Sequence, residues 1–570
     1  MVRQMLNDNK LVMKSHVLSH TLFAASLAAL TPQAAFAVDP AIPNAGSILQ
    51  QVQPVTPPTP SSTGTGLEIQ PRSNSELPQS APFLVNTLLI SGNTLFDTAT
   101  LHALVADAEG QTLTLAQISD LADRITEYYH NHGYPLARAF IPAQTIRDGV
   151  VRIEIIEARY GKINLNNRSR INDTLLQDTI NNLQSGQQIE QDSLDHALLL
   201  ISDIPGVIPN ATLSPGEAVG TSDLLIEAEP GSWLSGNVAL DDYGNRYTDR
   251  PRAGFTLNLI EPLHYGDILT ISGLTSGTRM HYGYASYELL LNGKGTRMGG
   301  SYSALDYTLS APFNAADSHG NAEVGSLWVR HPFMRSRIVN LYGQFQYDHK
   351  QLNDLNLAIR DERHLDNWTA SLSGDTHDTL IAGGVNAWNV HWTEGDVHFD
   401  NTQAQQASAA TTKTQGQFSK WTANLVRLQG LSAQNSLYFS LSGQWASKNL
   451  DSAEKMIAGG PYTVRAYDMG ALSGDTGYLG TAEFRHNFGE WHGQWQGVAF
   501  VDSQYVRINK DPWVSGTNSA TLSGVGAGIN WTGIDQWTAK ATIATPVGST
   551  PSLIGSTNSV RAWVELNKAF

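Results

Sequence analysis

The sequence predicts two small α+β modules followed by a transmembrane antiparallel β-barrel of about sixteen strands. Three observations predict it. A β-α-α-β-β order of segments runs from residue 81 and is repeated from residue 160. Residues 231–570 alternate apolar and polar side chains and contain no convincing amphipathic helix. After the first 37 residues no run of ~18 apolar residues occurs, and mean hydropathy is −0.23, which excludes a bundle of membrane helices but leaves a barrel open, because barrel strands average to mild polarity. The chain has 570 residues, too many for one ordinary domain. Its net charge of −16 argues against non-specific nucleic-acid binding. With no cysteine it has no disulfide, no thiolate chemistry and no cysteine-ligated zinc.

Arg3, Lys10 and Lys14 form a basic front to the apolar run VLSHTLFAASLAAL, and AFA ends at Ala37. This is the pattern of a secretory signal peptide over residues 1–37; the apolar run is shorter than the roughly 20 residues a spanning helix needs. In residues 38–80, NAGSILQQVQ predicts a short amphipathic helix with Ile48, Leu49 and Val52 on one side. PVTPPTPSSTGTG follows as an extended linker, since each proline fixes φ and cannot join a strand ladder. A helix on such a tether can dock at a distance; the alternative is an unstructured tail.

Residues 81–159 make the first module. FLVNTLLISGN reads as one strand ending at Gly92, followed by a short helical stretch near Asp97–Ala106. Thr114 and Gln117 form a capping-box pair that opens a helix with Leu115, Ile118, Leu121, Ala122, Ile125 and Tyr129 on one face. Gly133 stands where a left-handed residue ends a helix. ARAFIP and VVRIEIIE are two strands around the turn RDG. The second module, 160–230, repeats the plan: strand YGKINL, helices 172–183 and 193–202, then strands ATLSP and DLLIEAEP.

Residues 231–570 read as the barrel. In SLYFSLSGQW, Leu437, Phe439, Leu441, Gly443 and Trp445 share one face, and in LYGQFQYD so do Leu341, Gly343, Phe345 and Tyr347. Aromatic residues gather near segment ends, as girdles at the two membrane interfaces require. The same alternation places Phe500 and Asp502 of WHGQWQGVAFVD on the lumen face, where a charge stays hydrated or paired. NTQAQQASAATTKTQG (401–416) reads as a polar surface loop, and GVGAG (524–528) as barrel strand, because no helix follows it. RAWVELNKAF closes the chain with Ala562, Val564, Leu566 and the terminal Phe570 on one face.

The segments ISGNTLF, YYHNHGYPLARAFIPAQ and RDGVVRIEIIEARYGKI resemble the first POTRA domain of the TpsB branch of the Omp85 superfamily, the outer-membrane transporters of two-partner secretion, which include haemolysin-activator and CdiB-like proteins. DHALLLISDIPGV, LSPGEAVGTSDLLIE, LDDYGNRYTDRPRAGFTLNLIEPLHYGD and HPFMRSRIVNLY continue the resemblance over nearly the whole mature chain. It implies two periplasmic POTRA domains below an outer-membrane barrel. It further implies that a loop, here 459–470, folds into the lumen and carries the tetrad Val464, Arg465, Ala466 and Tyr467. Its arginine is expected to meet Asp502 of the wall motif Phe500-Val501-Asp502, the helix of Ile48, Leu49 and Val52 to plug the lumen at rest, and Phe570 to serve as the barrel's C-terminal signal. Two positions depart from the family pattern: Glu157-Ala158 stands for Glu-Gly, and Ala466 for the glycine of Val-Arg-Gly-Tyr. Alanine lacks the freedom of glycine, so a stiffer or differently turned loop is expected.

No Walker-type loop, HExxH or GxSxG is present, and the 17 histidines show no ligand spacing, so neither enzyme, metal nor cofactor is implied. The resemblance implies a translocator that recognises an unfolded exported protein through its POTRA domains and passes it through the barrel to the cell surface. The partner would be a TpsA-type exoprotein: an adhesin, a haemolysin or a contact-dependent inhibition toxin. Outer-membrane lipid and the barrel assembly machinery are the other partners expected, and nucleic acid is not. The rival readings are an Omp85-type assembly factor for other barrels, which typically has more POTRA domains, and a passive porin with periplasmic binding domains.

Overall fold

The computed structural model describes residues 42–53, 58–69, 80–357, 360–555 and 557–570. The export segment read at 1–37 lies outside them, as do residues 54–57 and 70–79 of the linker.

In the first module the helix Leu115–Asn131 opens on a complete capping box between Thr114 and Gln117 and buries Ile118, Leu121, Ala122, Ile125 and Tyr129. Ile118, Leu121 and Ile125 each contribute about 1.5–3 kcal/mol on burial. Gly133 follows the helix at φ +88°, the left-handed turn its position predicts. The helix lies on a three-stranded sheet of Thr87–Ser91, Val150–Ile156 and Arg138–Phe140, in that order. The segment expected as one strand is two. Asn86 breaks it, because the amides of Asn86 and Thr87 both donate to the Gly149 carbonyl. Phe83–Val85 therefore leaves the sheet and pairs with Gln111–Leu113, a strand the sequence did not announce.

Glu157 ties this module together. Its carboxylate accepts from the amides of Thr94 and Leu95 at 2.7 and 2.8 Å, from the Thr94 hydroxyl, and from the Tyr129 hydroxyl at 2.8 Å. Burial pushes the Glu157 carboxyl up, but the four donors, Thr94 foremost, outweigh burial and hold it below the usual glutamate value.

The second module has a four-stranded sheet in the order Leu67–Ile69, Val207–Pro215, Thr221–Pro230, Arg159–Asn167. Helices Asp173–Thr179 and Gln191–Ser202 cover it, burying Leu176, Leu194, Leu198 and Ile201. The first helix ends earlier than the periodicity suggests: Ile180 already leaves helical geometry. Leu67–Ile69 comes from the linker, not the module. This module is bolted to the barrel by Arg335, whose buried guanidinium takes both oxygens of Asp203 at 2.7 and 2.8 Å, and by Arg337, which holds Asp195 at 2.6 Å.

Sixteen antiparallel strands, from Leu234–Asp241 to Arg561–Ala569, close into a barrel. Phe345, Leu441 and Trp445 face outward, as the alternation predicts. Tyr347 packs against Trp368 and Trp392 against Trp421 on the outer wall, and Trp491, Trp495 and Trp531 cluster at the turn that follows Glu490. The closing seam is the shortest ladder, five register pairs against eight or more elsewhere. Phe570 completes it, its amide and carbonyl exchanging bonds with those of Gly236 at 3.0 Å. The segment 401–416, expected as plain loop, contains the helix Thr402–Ala410, capped by the Asn401 side chain; its alanine and glutamine run has no apolar stripe to announce it.

Glu157→Ala should cost the first module about 2–4 kcal/mol, since it strands a buried tyrosine hydroxyl and two amides. Because the folded carboxyl is lowered, its contribution is present above the ordinary value of 4.5 and lost as pH falls through the folded value. Urea unfolding of the module between pH 3 and 7 (~ values bracketing a glutamate) should show that acid-side loss in the parent and a shallower one in the variant. Equal stability of the two would contradict the role.

Candidate functional site

The connection between strands Asn435–Ala446 and Thr476–Glu490 turns inward, into the barrel. Its stem is a hairpin of Met456–Ala458 with Leu472–Gly474. Gly459 and Gly460, at φ +86° and +125°, reverse the chain there, where a β-carbon would strike Asp468 and Met469.

At the tip Arg465 meets the strand Gln494–Arg507. Its Nε and Nη2 donate to the two oxygens of Asp502 at 2.9 and 2.8 Å, and its amide adds a third bond at 3.1 Å. Nη1 donates to Glu483 at 2.7 Å, while Arg485 takes the other Glu483 oxygen at 2.6 Å. The guanidinium lies 3.4 Å from the centre of the Phe500 ring. Trp563 Nε1 donates to the Arg465 carbonyl at 2.7 Å, and the Thr481 hydroxyl donates to Asp502 at 3.0 Å. Two cations thus balance two carboxylates, of which Asp502 is wholly inaccessible. A bidentate, charge-assisted pair in so dry a place is strong in geometry and costly to half-break.

Val464, Ala466 and Tyr467 are buried with Phe500, Val498 and Leu522 in one apolar cluster. Ala466 has no left-handed backbone, so the tetrad here does not call on glycine's freedom. Its methyl sits over Gly524, where a β-carbon would come within 2.5 Å of it. The glycine is on the wall instead of in the loop.

The helix Ala45–Val52 also lies inside the barrel. Asn44 and Ser47 cap it reciprocally. Ile48 and Leu49 are buried against Leu305, Tyr307 and Leu352 of the inner wall, and Val52 is half-buried beside a cavity of about 850 Å³ lined by Gln53, Ser272, Tyr282, Ser303 and Gln344. Asn245 joins the two inserts, its Nδ2 donating to the Gln51 side chain at 3.1 Å and to the Met469 carbonyl at 3.2 Å. Ser61 then bonds Asp375, Thr65 bonds Arg337, and the linker leaves the lumen for the second module. Phe570 belongs to neither group; it sits at the seam.

Several residues of this site escaped the sequence reading. Thr481, Glu483, Arg485 and Trp563 face inward by the same alternation that located Asp502, so the signal for them was present. Asn245 lies on an irregular connection with no pattern to read.

The family described as haemolysin secretion/activation protein ShlB/FhaC/HecB matches residues 220–531, and the ShlB-type POTRA domain matches residues 83–158. The heme/hemopexin transporter protein HuxB of Haemophilus influenzae is 26% identical over 475 residues, 81% of this chain and 82% of its own. The outer membrane transporter CdiB of Escherichia coli is 25% identical over 466 residues, 79% and 76% of the two chains. The hemolysin transporter protein ShlB of Serratia marcescens is 25% identical over 417 residues, 70% and 72%. Among solved structures, CdiB from Escherichia coli shares the fold with a TM-score of 0.67 at 21% identity, over 88% of this chain and 93% of that one. The chain belongs to the ShlB/FhaC/HecB family. It is an outer-membrane β-barrel transporter of the two-partner secretion class, with its POTRA region in the periplasm.

Arg465→Ala leaves Asp502 buried without a cation and Glu483 with Arg485 alone, and Asp502→Ala leaves Arg465 only Glu483; each should unseat the loop at a cost of about 3–5 kcal/mol. Secretion should fall in both with the barrel still inserted, and the double variant should lose far less than the sum. Strictly additive losses would show that the two residues do not act as a pair.

Proposed function

We propose that this transporter recognises an unfolded, exported TpsA-type protein at its POTRA modules (81–159 and 160–230), threads it through the barrel of 231–570 and releases it at the cell surface. In that cycle the helix carrying Ile48, Leu49 and Val52 is a plug that vacates the lumen. The Arg465–Asp502 pair holds loop 459–470 in the working conformation. With no nucleotide motif in the chain, direction comes from folding of the passenger outside. Residues 1–37 direct export, and Phe570 marks the barrel for the assembly machinery that inserts it into outer-membrane lipid. The passenger's class, whether adhesin, haemolysin or contact-dependent inhibition toxin, is one its own sequence would name.

The observation that carries this reading is the strand Leu67–Ile69. It lies parallel on Val207–Pro215, Leu67 opposite Ala211 and Ile69 opposite Leu213. A three-residue strand from a linker has no stability of its own, so this edge supplies the backbone bonds that order it. Ile208 and Leu225 stand exposed on the same sheet face, apolar surface that can select among incoming segments. A passenger segment uses the same edge and displaces the linker from it.

Calorimetry with fragments tests this, since each module has its own apolar core. A fragment of residues 83–230 should bind the unfolded amino-terminal part of the passenger at about micromolar strength, an ordering cost being paid on binding. A fragment of residues 58–230, whose edge is filled, should bind more weakly. Deleting 83–230 from the whole protein should abolish secretion while the barrel stays folded. No binding by either fragment, with secretion surviving the deletion, would move recognition into the barrel.

A further inference from the structure

A second buried charge cluster fills the other side of the lumen, away from Arg465, and it holds the turn Ser452–Glu454 at the base of the same loop. Glu454 is clamped by Lys350 at 2.6 Å and Lys420 at 2.8 Å, and Asn367 donates to it at 2.8 Å. Arg363 reaches Asp451 at 2.6 Å, Asp354 at 3.0 Å and the Ser452 hydroxyl at 3.2 Å. Arg363, Asp451 and Glu454 are all almost inaccessible. The strands Val339–Leu355, Arg360–Asp378 and Gly416–Gly430 thereby present one turn of the loop as a rigid surface.

The N-terminal helix rests on that surface. The Ala45 amide donates to Asp354 at 2.7 Å, so one carboxylate serves both Arg363 and the first turn of the helix. Gln50 donates to the Ala453 carbonyl. Gly46 makes the closest approach: a β-carbon there would lie 2.4 Å from Ser452 Oγ and 2.5 Å from the Ala453 amide nitrogen. Glycine is a poor helix former, and an eight-residue helix is far below the ~12–15 residues that hold together in water. The helix therefore owes its order to docking, and glycine is the residue that permits the docking.

We propose that the 451–454 turn is the seat of the plug, that Arg363 and Glu454 are positioning residues which hold the seat to the wall, and that Gly46 is the contact by which the helix fits it. The lumen then has two closures that release separately: the helix from its seat, and the loop tip from Asp502. This rests on the helix being the plug.

Single-channel recording of the full chain in planar bilayers tests it. Deleting residues 45–53 should raise conductance, and this arm tests the plug reading itself. Gly46→Leu should bring conductance close to that of the deletion, and Arg363→Gln should raise the open population by about tenfold or more, with Arg363→Lys restoring part of the closure. Gly46→Leu leaves every charged residue in place, so a folding defect in the Arg363 variant does not remove the test. If the deletion opens the pore while Gly46→Leu and Arg363→Gln both stay as closed as the parent, the seat is wrong and the plug stands. If the deletion leaves conductance unchanged, the plug reading fails and takes the seat with it.

Discussion

A sixteen-stranded barrel encloses more space than its own inward side chains fill. Left alone, that lumen is a water channel. The chain places two inserts in it that are distant in sequence, the helix Ala45–Val52 and the loop 447–475, and most other features follow from the need to hold them reversibly. An apolar plug grown from the wall would be permanent. An insert on a proline-rich tether, or a loop anchored at both ends, can be seated and unseated with the barrel intact.

The chemistry of the seats suits that need. A buried ion pair adds little net stability over well-packed apolar residues, yet removing one partner is expensive. Such contacts favour two discrete states over gradual loosening. Arg465 with Asp502 and Glu483 forms one such contact, and Arg363 with Asp451 and Asp354 another. Asn245 touches both inserts and gives them a second shared contact, apart from the ion-paired turn on which the helix rests. Below the membrane, Arg335 with Asp203 fixes the second module to the barrel, so the linker strand on Val207–Pro215 and the plug above it are ends of one tether on one frame.

The barrel was legible because a strand buries one face, and a period of two survives over its whole length; that alone aimed Phe500 and Asp502 inward. The helix Leu115–Asn131 was legible through its cap, its stripe and Gly133. What stayed hidden was set by partners distant in sequence. Leu67–Ile69 is a strand only because Val207–Pro215 lies beside it. The break at Asn86 comes from Gly149, and the seat of Gly46 from Ser452 and Ala453. Ala466 shows the same limit from the other side: the motif raised the matter of a missing glycine, and the answer lay in Gly524, on a strand with no motif at all.

The most direct test is whether the helix leaves the lumen when a passenger occupies it. The chain has no cysteine, so spin labels at Gln53 of the helix end and Ala433 of a barrel turn would be unique. Pulsed electron double resonance on the resting transporter should give one narrow distance. With a passenger arrested in transit, that distance should give way to a broad, longer distribution. A resting distance unchanged while the passenger is held in the barrel would contradict transit through a lumen that the helix has vacated.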